Sequence, residues 1–414
     1  MAALLITDIH TLAGLQPAGQ TVLPGKDMAR LDQIHNAWIL CEDGVISNFG
    51  TMDALPTSLP SDLETRSAGG GFVLPSWCDS HSHIVFAAPR EEEFAMKIAG
   101  KSYEEIAAAG GGILNSAAKL QHAPEELLFE SAASRLRDMI TQGTGALEIK
   151  SGYGLSTDAE IKMLRVIRKL KETFPIPIRA SFLAAHAYPQ QYKEDHEGYI
   201  RMIIDQMLPR VAGEGLADYM DVFCEHGFFS LDDTNRLLDA AGNYGLLPKI
   251  HANQLSISGA VQMGIKHHAV SVDHLELTDN DAIQALANSS TIATLLPSCS
   301  FYLGIPYANA RALMNADVPL ALASDYNPGS TPSGNMNFVA SLGCIKLKMM
   351  PEEVINACTL NGAAAMELSN ETGSITVGKR ANLILTRPMS SLAYLPYSFG
   401  QSQIAATVLN GKYQ

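Results

Sequence analysis

The sequence predicts an α/β protein built on a (β/α)8 TIM barrel, with a small β-sandwich domain assembled from both ends of the chain. Short strand-like segments bounded by Asp and Gly occur at both ends. Between them, apolar segments rich in strand formers alternate with helical segments, which is the pattern of a parallel sheet. The expected division is 1–70 and 371–414 for the composite β domain and 71–370 for the barrel.

The terminal segments predict short antiparallel strands. Apolar segments lie at 4–6, 34–41 and 45–49, and the turn Glu42-Asp43-Gly44 joins the last two. Asp and Gly tolerate the positive φ that tight hairpins require. Similar segments follow the barrel at 374–377, 381–386 and 404–409. Neither end alone has enough strand to bury a sheet face, so both ends are expected to form one domain.

The middle of the chain contains the alternating segments of an eight-stranded barrel. Strands are expected near 72–80, 145–150, 178–184, 219–225, 247–251, 269–274, 291–296 and 318–325. Helices are expected between most of them, for example at 125–140, 158–172, 231–241 and 309–315.

Side chains capable of chemistry recur at the carboxyl ends of these strands. They are His83, Lys150, His186, Glu225, His251, His274 and Asp325. In a barrel these ends meet at one mouth, where the active sites of this fold lie. Residues far apart in sequence are therefore expected to share one pocket.

Composition and charge narrow the class of function. The 414 residues are 47% hydrophobic and 17% charged, with a formal net charge of −14. Without a Lys/Arg cluster interleaved with aromatic residues, nucleic acid and membrane surfaces are not expected partners. An anionic small substrate would need a locally placed cation. The six cysteines are scattered, and no signal peptide or membrane-length apolar segment is found, so a cytoplasmic protein with reduced thiols is expected.

Two histidines separated by one residue, His81 and His83, end the first barrel segment. Side chains at i and i+2 of a strand share a face, so both imidazoles can hold one metal ion. A chance pair in a loop is the alternative. His251 and Asp325, at two later strand ends, would complete a set suited to one divalent ion. Zinc is the expected metal, and iron and manganese are alternatives. His251 taken alone could instead be a hydrogen-bonded histidine of the core.

Several motifs resemble those of the metal-dependent amidohydrolase superfamily, namely H-S-H at 81–83, V-D-H-L-E at 272–276 and S-D-Y-N-P-G at 324–329. Within it, segments along nearly the full chain are similar to the imidazolonepropionase family: P-R-E-E-E-F at 89–94, A-G-G-G-I at 109–113, E-I-K-S-G-Y-G-L at 148–155, A-A-H-A at 184–187 and S-D-Y-N-P-G-S at 324–330. The resemblance implies hydrolysis of the cyclic amide of 4-imidazolone-5-propanoate to N-formimidoyl-L-glutamate, in histidine degradation, by a homodimer.

The resemblance also implies roles for the residues at matching positions. The metal ligands would be His81, His83, His251 and Asp325. The residues in contact with substrate or product would be Arg90, Tyr153, His186, Gln254, Asn327, Gly329 and Ser330. Asp325 is expected to take the proton of the attacking water and return it to the departing ring nitrogen, while His274 stabilises the oxyanion.

The chemistry of three of these side chains agrees with the implied contacts. Arg90 follows His83 by seven residues, and its guanidinium can bind a propionate carboxylate through two bonds. The alternative for Arg90 is a solvated arginine at a helix start. Tyr153 lies between glycines that let the backbone approach a ligand. His186 can hydrogen-bond the ring carbonyl of the substrate, or it is a histidine of the core.

The glycines at 110–112 are expected to form a loop over the pocket.

Gln254 and Lys150 distinguish this chemistry from related ones. Deaminases of the superfamily usually carry glutamate where this chain has Gln254, and glutamine cannot carry a proton. Gln254 therefore makes the deaminase interpretation weaker. Another cyclic-amide hydrolase or a base deaminase is the alternative function, and a non-catalytic relative is a third possibility.

Lys150 falls on the second strand, so an ion pair or an orienting hydrogen bond is expected there, not a carbamylated lysine that bridges two ions.

Overall fold

Two sheets contain the named strands of this computed structural model, which describes residues 3–101, 105 and 111–414. In chain order the strands are β1 (Ala3–Leu15), β2 (Asp32–Glu42), β3 (Val45–Thr51), β4 (Leu63–Ser67), β5 (Phe72–Pro75), β6 (Trp77–Asp79), β7 (Thr144–Lys150), β8 (Ile178–Ala185), β9 (Tyr219–Cys224), β10 (Leu247–Ala252), β11 (Ser271–His274), β12 (Ile292–Leu295), β13 (Leu320–Leu322), β14 (Leu383–Thr386), β15 (Ile404–Leu409) and β16 (Lys412–Tyr413).

The first sheet is built from both ends of the chain. Its order is β16-β15-β14-β5-β1-β2-β3, and β4 also pairs with β1. An isolated bridge between Val45 and Arg380 joins distant parts of the sheet, which folds over a buried apolar cluster that includes Ile6, Ile39 and Leu383. The predicted domain of both termini is confirmed. The strand expected at 374–377 is wrong, because only Ile375 makes a bridge there, to Leu15.

The turn between β2 and β3 follows from its sequence. Glu42 pairs with Val45 across a loop of two residues. Asp43 and Gly44 have φ values of 50° and 85°, as the two central residues of a type I′ hairpin turn require.

The second sheet is the barrel. Its strands run in the order β6-β7-β8-β9-β10-β11-β12-β13, and each pair of neighbours is parallel. An isolated parallel bridge between Ser82 and Tyr326 connects the segments that follow β6 and β13. The predicted (β/α)8 barrel is confirmed.

The chain passes from the first sheet to the second at Ser76. The segment before it, β5, pairs with β1 and β14, whereas the N–H of Trp77 donates to the carbonyl of Gly143 beside β7. The expected first barrel strand at 72–80 is therefore divided between the two sheets.

Helices alternate with the barrel strands. Within the described residues they are Glu91–Ile98, Ile113–His122, Glu125–Thr141, Thr157–Thr173, His196–Met202, Leu208–Gly213, Leu231–Gly242, Ala260–Lys266, Asn280–Ala287, Pro297–Leu303, Ala310–Asn315, Met336–Ile345, Pro351–Cys358, Leu360–Ala364 and Tyr394–Tyr397. The four helices expected from periodicity are present to within two residues at each end. Ser230 caps one of them, since its hydroxyl accepts the N–H of Asp233.

Among the described residues, no helix combines the length and apolarity needed to cross a membrane. All six cysteines are free, and five of them are buried, as expected. Of the loop expected at 110–112, position 110 lies outside the described residues.

Candidate active site

The four side chains expected to bind a metal ion lie together at the carboxyl ends of the barrel strands. His81 and His83 follow β6, His251 lies in β10 and Asp325 follows β13. Nε2 of His81 is 3.2 Å from Nε2 of His83, and Oδ1 of Asp325 lies 3.6 Å and 3.5 Å from these two atoms. The ring centroids of His81 and His251 are 4.5 Å apart. The structure therefore brings three distant segments of the chain to one point.

Backbone hydrogen bonds across the closure of the barrel place three of these residues side by side. The N–H of Asp325 donates to the carbonyl of His81 at 2.9 Å, and the N–H of His83 donates to the carbonyl of Tyr326 at 2.8 Å. The segment past β6 is thereby held extended, so imidazoles two residues apart share a face. Asp325 has a φ of 53°, in the left-handed region where backbone strain is about 1–3 kcal/mol.

The donor atoms fit a divalent cation. Burial is the main cause that holds the pKa of each of the three histidines well below its ordinary value, so the rings are neutral and offer lone pairs. Nε2 of His251 is buried without a hydrogen-bond partner among the described residues. Ligand atoms about 2.0–2.1 Å from a tetrahedral ion lie about 3.3 Å from each other, which matches the separations observed among His81, His83 and Asp325. The cluster can hold a metal ion.

Two buried carboxylates orient the histidine ligands. Nδ1 of His81 is 2.7 Å from Oδ2 of Asp273, and Nδ1 of His251 is 3.1 Å from Oδ1 of Asp221. A carboxylate can only accept, so each Nδ1 carries the proton and each Nε2 is left to bind a cation. Asp221 and Asp273 point inward from β9 and β11 and are fully buried. Sequence reasoning missed both, although an aspartate inside an apolar strand is a signal in itself.

His274 lies beside the metal-ligand cluster. One ring nitrogen of His274 is within 4.8 Å of ring nitrogens of His81 and His251. Its Nδ1 is 3.4 Å from Oε1 of Glu276. Burial opposes protonation of His274, but the charges of Glu276 and Asp325 raise its pKa above the ordinary value. A histidine that readily carries a proton is suited to donate a hydrogen bond to a developing oxyanion.

One cavity at the barrel mouth contains most of the residues expected from the sequence. Its lining comprises His83, Tyr153, His186, Phe223, His251, Gln254, His274, Asp325, Asn327 and Ser330. Phe223, which sequence reasoning did not identify, contacts the edge of the His186 ring. The cavity therefore combines metal-ligating groups, hydrogen-bonding groups and an aromatic wall.

The loop that carries Tyr153 is held by one buried carboxylate. Glu160 accepts the backbone N–H groups of Gly152, Gly154 and Leu155 at 2.7–3.0 Å. Nδ1 of His186 donates to the carbonyl of Gly152 at 3.0 Å. Burial lowers the pKa of His186 to about 4, so the ring is neutral and its Nε2 is an acceptor.

The loop after Asp325 is organised by Asn327. Its Oδ1 accepts the N–H groups of Gly329 and Ser330, both at 2.8 Å. Its Nδ2 donates to the carbonyl of Asp325 and to the hydroxyl of Ser330, both at 2.7 Å. The Asn327 side chain thus shapes the loop, and the Ser330 hydroxyl lies 3.4 Å from Oδ2 of Asp325.

Arg90 lies next to this cavity with part of its guanidinium uncommitted. Nε donates to the hydroxyl of Ser116 at 2.8 Å, and Cζ is 5.8 Å from the ring centroid of Tyr153. Nη2 is buried and has no hydrogen-bond partner within the described residues. A Cβ on Gly329 would lie 2.6 Å from Nη1. Arg90 is therefore not the solvated helix-start arginine that the sequence left as an alternative.

Gln254 contacts a cysteine at the wall of the cavity. Its Nε2 is 3.5 Å from Sγ of Cys299. Its loop is held by Glu225, which accepts the N–H of Leu255 at 2.9 Å and the hydroxyl of Ser256. Glu225 is one of the strand-end residues identified from the sequence, and its contacts here are with this loop.

Lys150 makes the ion pairs expected of it. Nζ is 2.5 Å from Glu148 and 2.7 Å from Asp221. The side chain is fully buried below the histidines. The carboxylates outweigh burial and raise the pKa of Lys150, which keeps the amine charged and unsuited to carbamylation.

Comparison with known proteins agrees with the fold and the site. Residues 72–413 match the amidohydrolase family. The chain is 52% identical over 409 residues to an imidazolonepropionase of Christiangramia forsetii and 51% identical over 408 residues to one of Flavobacterium johnsoniae, with 99% of both chains covered in each case. It also resembles a zinc-bound adenosine deaminase from Xanthomonas campestris, with a TM-score of 0.69 and 16% identity over 99% of this chain and 92% of that one. This last likeness concerns the fold alone.

The family match covers most of the chain, and the identity to the two relatives extends over its full length. The chain belongs to the amidohydrolase family and, within it, to the imidazolonepropionases.

Proposed function

We propose that this hydrolase opens the ring of 4-imidazolone-5-propanoate to give N-formimidoyl-L-glutamate, in histidine degradation. The relatives that match over the full length bear the name of that activity. The observation that carries the proposal is the placement of two groups around one cavity. A cluster able to hold a cation lies at the base, and the uncommitted Nη2 of Arg90 lies beside it.

Arg90 is the group proposed to bind the propionate of the substrate. The protein carries a formal net charge of −14, so an anionic substrate needs a local cation. A guanidinium with a buried unpaired N–H is poised to pair with a carboxylate, because that bond satisfies a donor that otherwise stays desolvated. Ser116 fixes the guanidinium from the other side.

His81, His83, His251 and Asp325 are proposed to hold one divalent ion, with zinc as the default and iron as the alternative. When bound, such an ion lowers the pKa of water and polarises a carbonyl. The neutral imidazoles and one carboxylate suit either metal.

Asp325 and His274 are proposed to handle protons and charge during the reaction. Oδ1 of Asp325 faces the histidine ligands, whereas Oδ2 faces Ser330. Asp325 takes a proton from the attacking water as the new C–O bond forms at the lactam carbonyl. His274 donates a hydrogen bond to the developing oxyanion. Asp325 then gives the proton to the ring nitrogen as the C–N bond breaks.

Tyr153, His186, Gln254, Asn327, Gly329 and Ser330 complete the proposed substrate site. Gln254 has an amide where a proton-shuttling deaminase needs a carboxyl group, so its role is to hydrogen-bond the ring amide. His186 offers a neutral acceptor, and Tyr153 covers the cavity beside Arg90.

We also propose a cytoplasmic homodimer, in which 1–70 with 371–414 and 71–370 act as two structural units. The family resemblance supports the dimer. Light scattering on the purified protein tests it, and a mass of one chain would contradict it.

The deciding experiment is a turnover assay with freshly made imidazolone propionate on metal-replete and chelator-treated protein. Disappearance of the imidazolone without release of ammonia, only in the metal-replete sample, supports the proposal. Ammonia released from purines or pyrimidines would support the deaminase alternative instead.

A further inference from the structure

Five charged side chains are fully buried inside the barrel, directly below the histidine ligands. They are Glu148, Lys150, Asp221, Lys249 and Asp273. They point inward from β7, β9, β10 and β11. Burying charges costs stability unless the charges are paired with good geometry. A cluster of this size in the interior therefore calls for a functional explanation.

Lys150 lies at the centre of this cluster. Its Nζ is 2.7 Å from Oδ2 of Asp221 and 3.4 Å from Oδ2 of Asp273. These are the two carboxylates that receive Nδ1–H from His251 and His81. One ammonium group thus hydrogen-bonds Asp221 and forms an ion pair with Asp273, although among the described residues it hydrogen-bonds neither histidine.

The two aspartates would repel each other without a cation between them. Burial raises the pKa of Asp221, the Lys150 ammonium lowers it, and the neighbouring Asp273 carboxylate raises it again. The aspartates are thus close enough for each to feel the other's charge. Lys150, which contacts both aspartates, offsets this repulsion, and the charge of Lys249 also favours the ionised form of Asp273.

We propose that Lys150 is a positioning residue of the metal centre. Its ammonium group holds Asp221 and Asp273 in the places from which they fix the tautomer and the direction of His251 and His81. Removal of this charge lets the two carboxylates move apart, and both imidazoles then lose their orientation at once. The effect would reach a bound ion through Asp221 with His251 and through Asp273 with His81.

The inference rests on the proposed metal site, so the test begins with zinc binding by the wild-type protein. Zinc affinity is measured by competition with a chromophoric chelator, and coordination geometry by the absorption spectrum of the cobalt-substituted protein. If the wild type binds no metal, the proposed function fails. If the wild type binds and the lysine variant binds equally, only the inference about Lys150 fails.

Lys150→Met removes the charge and shortens the side chain by only one heavy atom. We expect zinc affinity to fall by about 10–100-fold, the range found when a partner of a metal-ligating histidine is lost. We also expect an altered cobalt spectrum, because the geometry of two ligands changes.

Lys249→Met is the matched control. Lys249 is equally buried and pairs with Glu148, but its Nζ donates otherwise to the carbonyls of Ser80 and Ala365. Among the described residues it hydrogen-bonds neither orienting aspartate, although against the effect of burial its charge, like that of Lys150, lowers the pKa of Asp273. We expect a loss of thermal stability in both variants and a clearly larger loss of zinc affinity in Lys150→Met, because only Lys150 contacts Asp221 and Asp273 directly. A loss of affinity in Lys150→Met no larger than that in Lys249→Met would overturn the proposal.

Should Lys150→Met fail to fold, Lys150→Gln replaces it and is measured in the same way. Asp221→Asn and Asp273→Asn then test the contacts from Lys150 through Asp221 to His251 and through Asp273 to His81. An amide keeps the shape of the carboxylate but not its charge. Each is expected to weaken zinc binding by about 10-fold or more. Wild-type affinity in both aspartate variants would also overturn the proposal.

Discussion

Nη1 of Arg90 occupies the space that any side chain at position 329 would need, since a Cβ on Gly329 would lie 2.6 Å from it. The φ of Gly329 is not in the left-handed region, so the absence of a side chain serves this close approach and not the backbone conformation. We therefore expect Gly329→Ala to displace the guanidinium from its place beside the cavity. The KM for imidazolone propionate should rise by about 10-fold or more, which corresponds to a weakened charged hydrogen bond.

Gly242→Ala provides the control for this substitution. Gly242 also has an ordinary φ, and a Cβ there would meet nothing within 4 Å. The KM of Gly242→Ala for imidazolone propionate should stay at the wild-type value. An unchanged KM in Gly329→Ala as well would mean that Arg90 does not bind the substrate in the observed place.

Replacement of Arg90 should cost substrate affinity in proportion to the lost bonds. A hydrogen bond to a charged group is worth about 1.5–3 kcal/mol, so loss of the single bond from the unpaired Nη2 in Arg90→Met should lower kcat/KM by about 10–150-fold. Arg90→Lys should lower kcat/KM less than Arg90→Met does, because lysine keeps the positive charge although it lacks the parallel N–H donors of the guanidinium. Steady-state kinetics with a substrate analogue that lacks the carboxylate supply the comparison. An equal loss with that analogue would refute carboxylate recognition by Arg90.

Asp325→Asn and His274→Asn should act on turnover. The first removes the proton acceptor, which is worth about 10²–10⁴-fold in kcat, and the second removes the donor to the oxyanion, which is worth about 10²–10³-fold. Metal content must be measured alongside, because Asp325 also belongs to the ligand cluster. Near-normal turnover of both variants with metal bound would discard the proposed mechanism.

Metal removal should lower both activity and stability. A ligand that binds only the folded state at about 100 times its Kd adds about 2.7 kcal/mol to the free energy of unfolding. We expect chelation to abolish turnover and lower Tm, and zinc or iron to restore both. Differential scanning fluorimetry with the activity assay checks this expectation. If chelation changed neither the Tm nor the activity, the result would contradict the metal site.

Strand ends were the most informative part of the sequence. His81, His83, His251 and Asp325 could be placed together because parallel strands deliver their carboxyl ends to one mouth. That rule depends only on strand order and does not need exact strand boundaries. The same reasoning gave the domain built from both termini, because neither end had enough strand to form a sheet alone.

Contacts between inward-facing polar residues could not be read from the sequence. Asp221 and Asp273 lie in apolar strands, and no local rule states which imidazole each one meets across the barrel. The contact between Arg90 and Gly329 joins loops 239 positions apart in the printed sequence. The division of the segment at 72–80 was hidden as well, since both halves have the composition of a buried strand.

The order of strands in the first sheet also determines when its strands can pair during translation. β5 lies between β1 and β14, and the N–H of Phe72 donates to the hydroxyl of Thr386, 314 positions away. One edge of β5 therefore stays unpaired until nearly the whole chain has been synthesised, and an unpaired edge invites association with other chains. A nascent chain stalled before β14 would expose this edge, and the edge is covered only once Leu383–Thr386 has been synthesised.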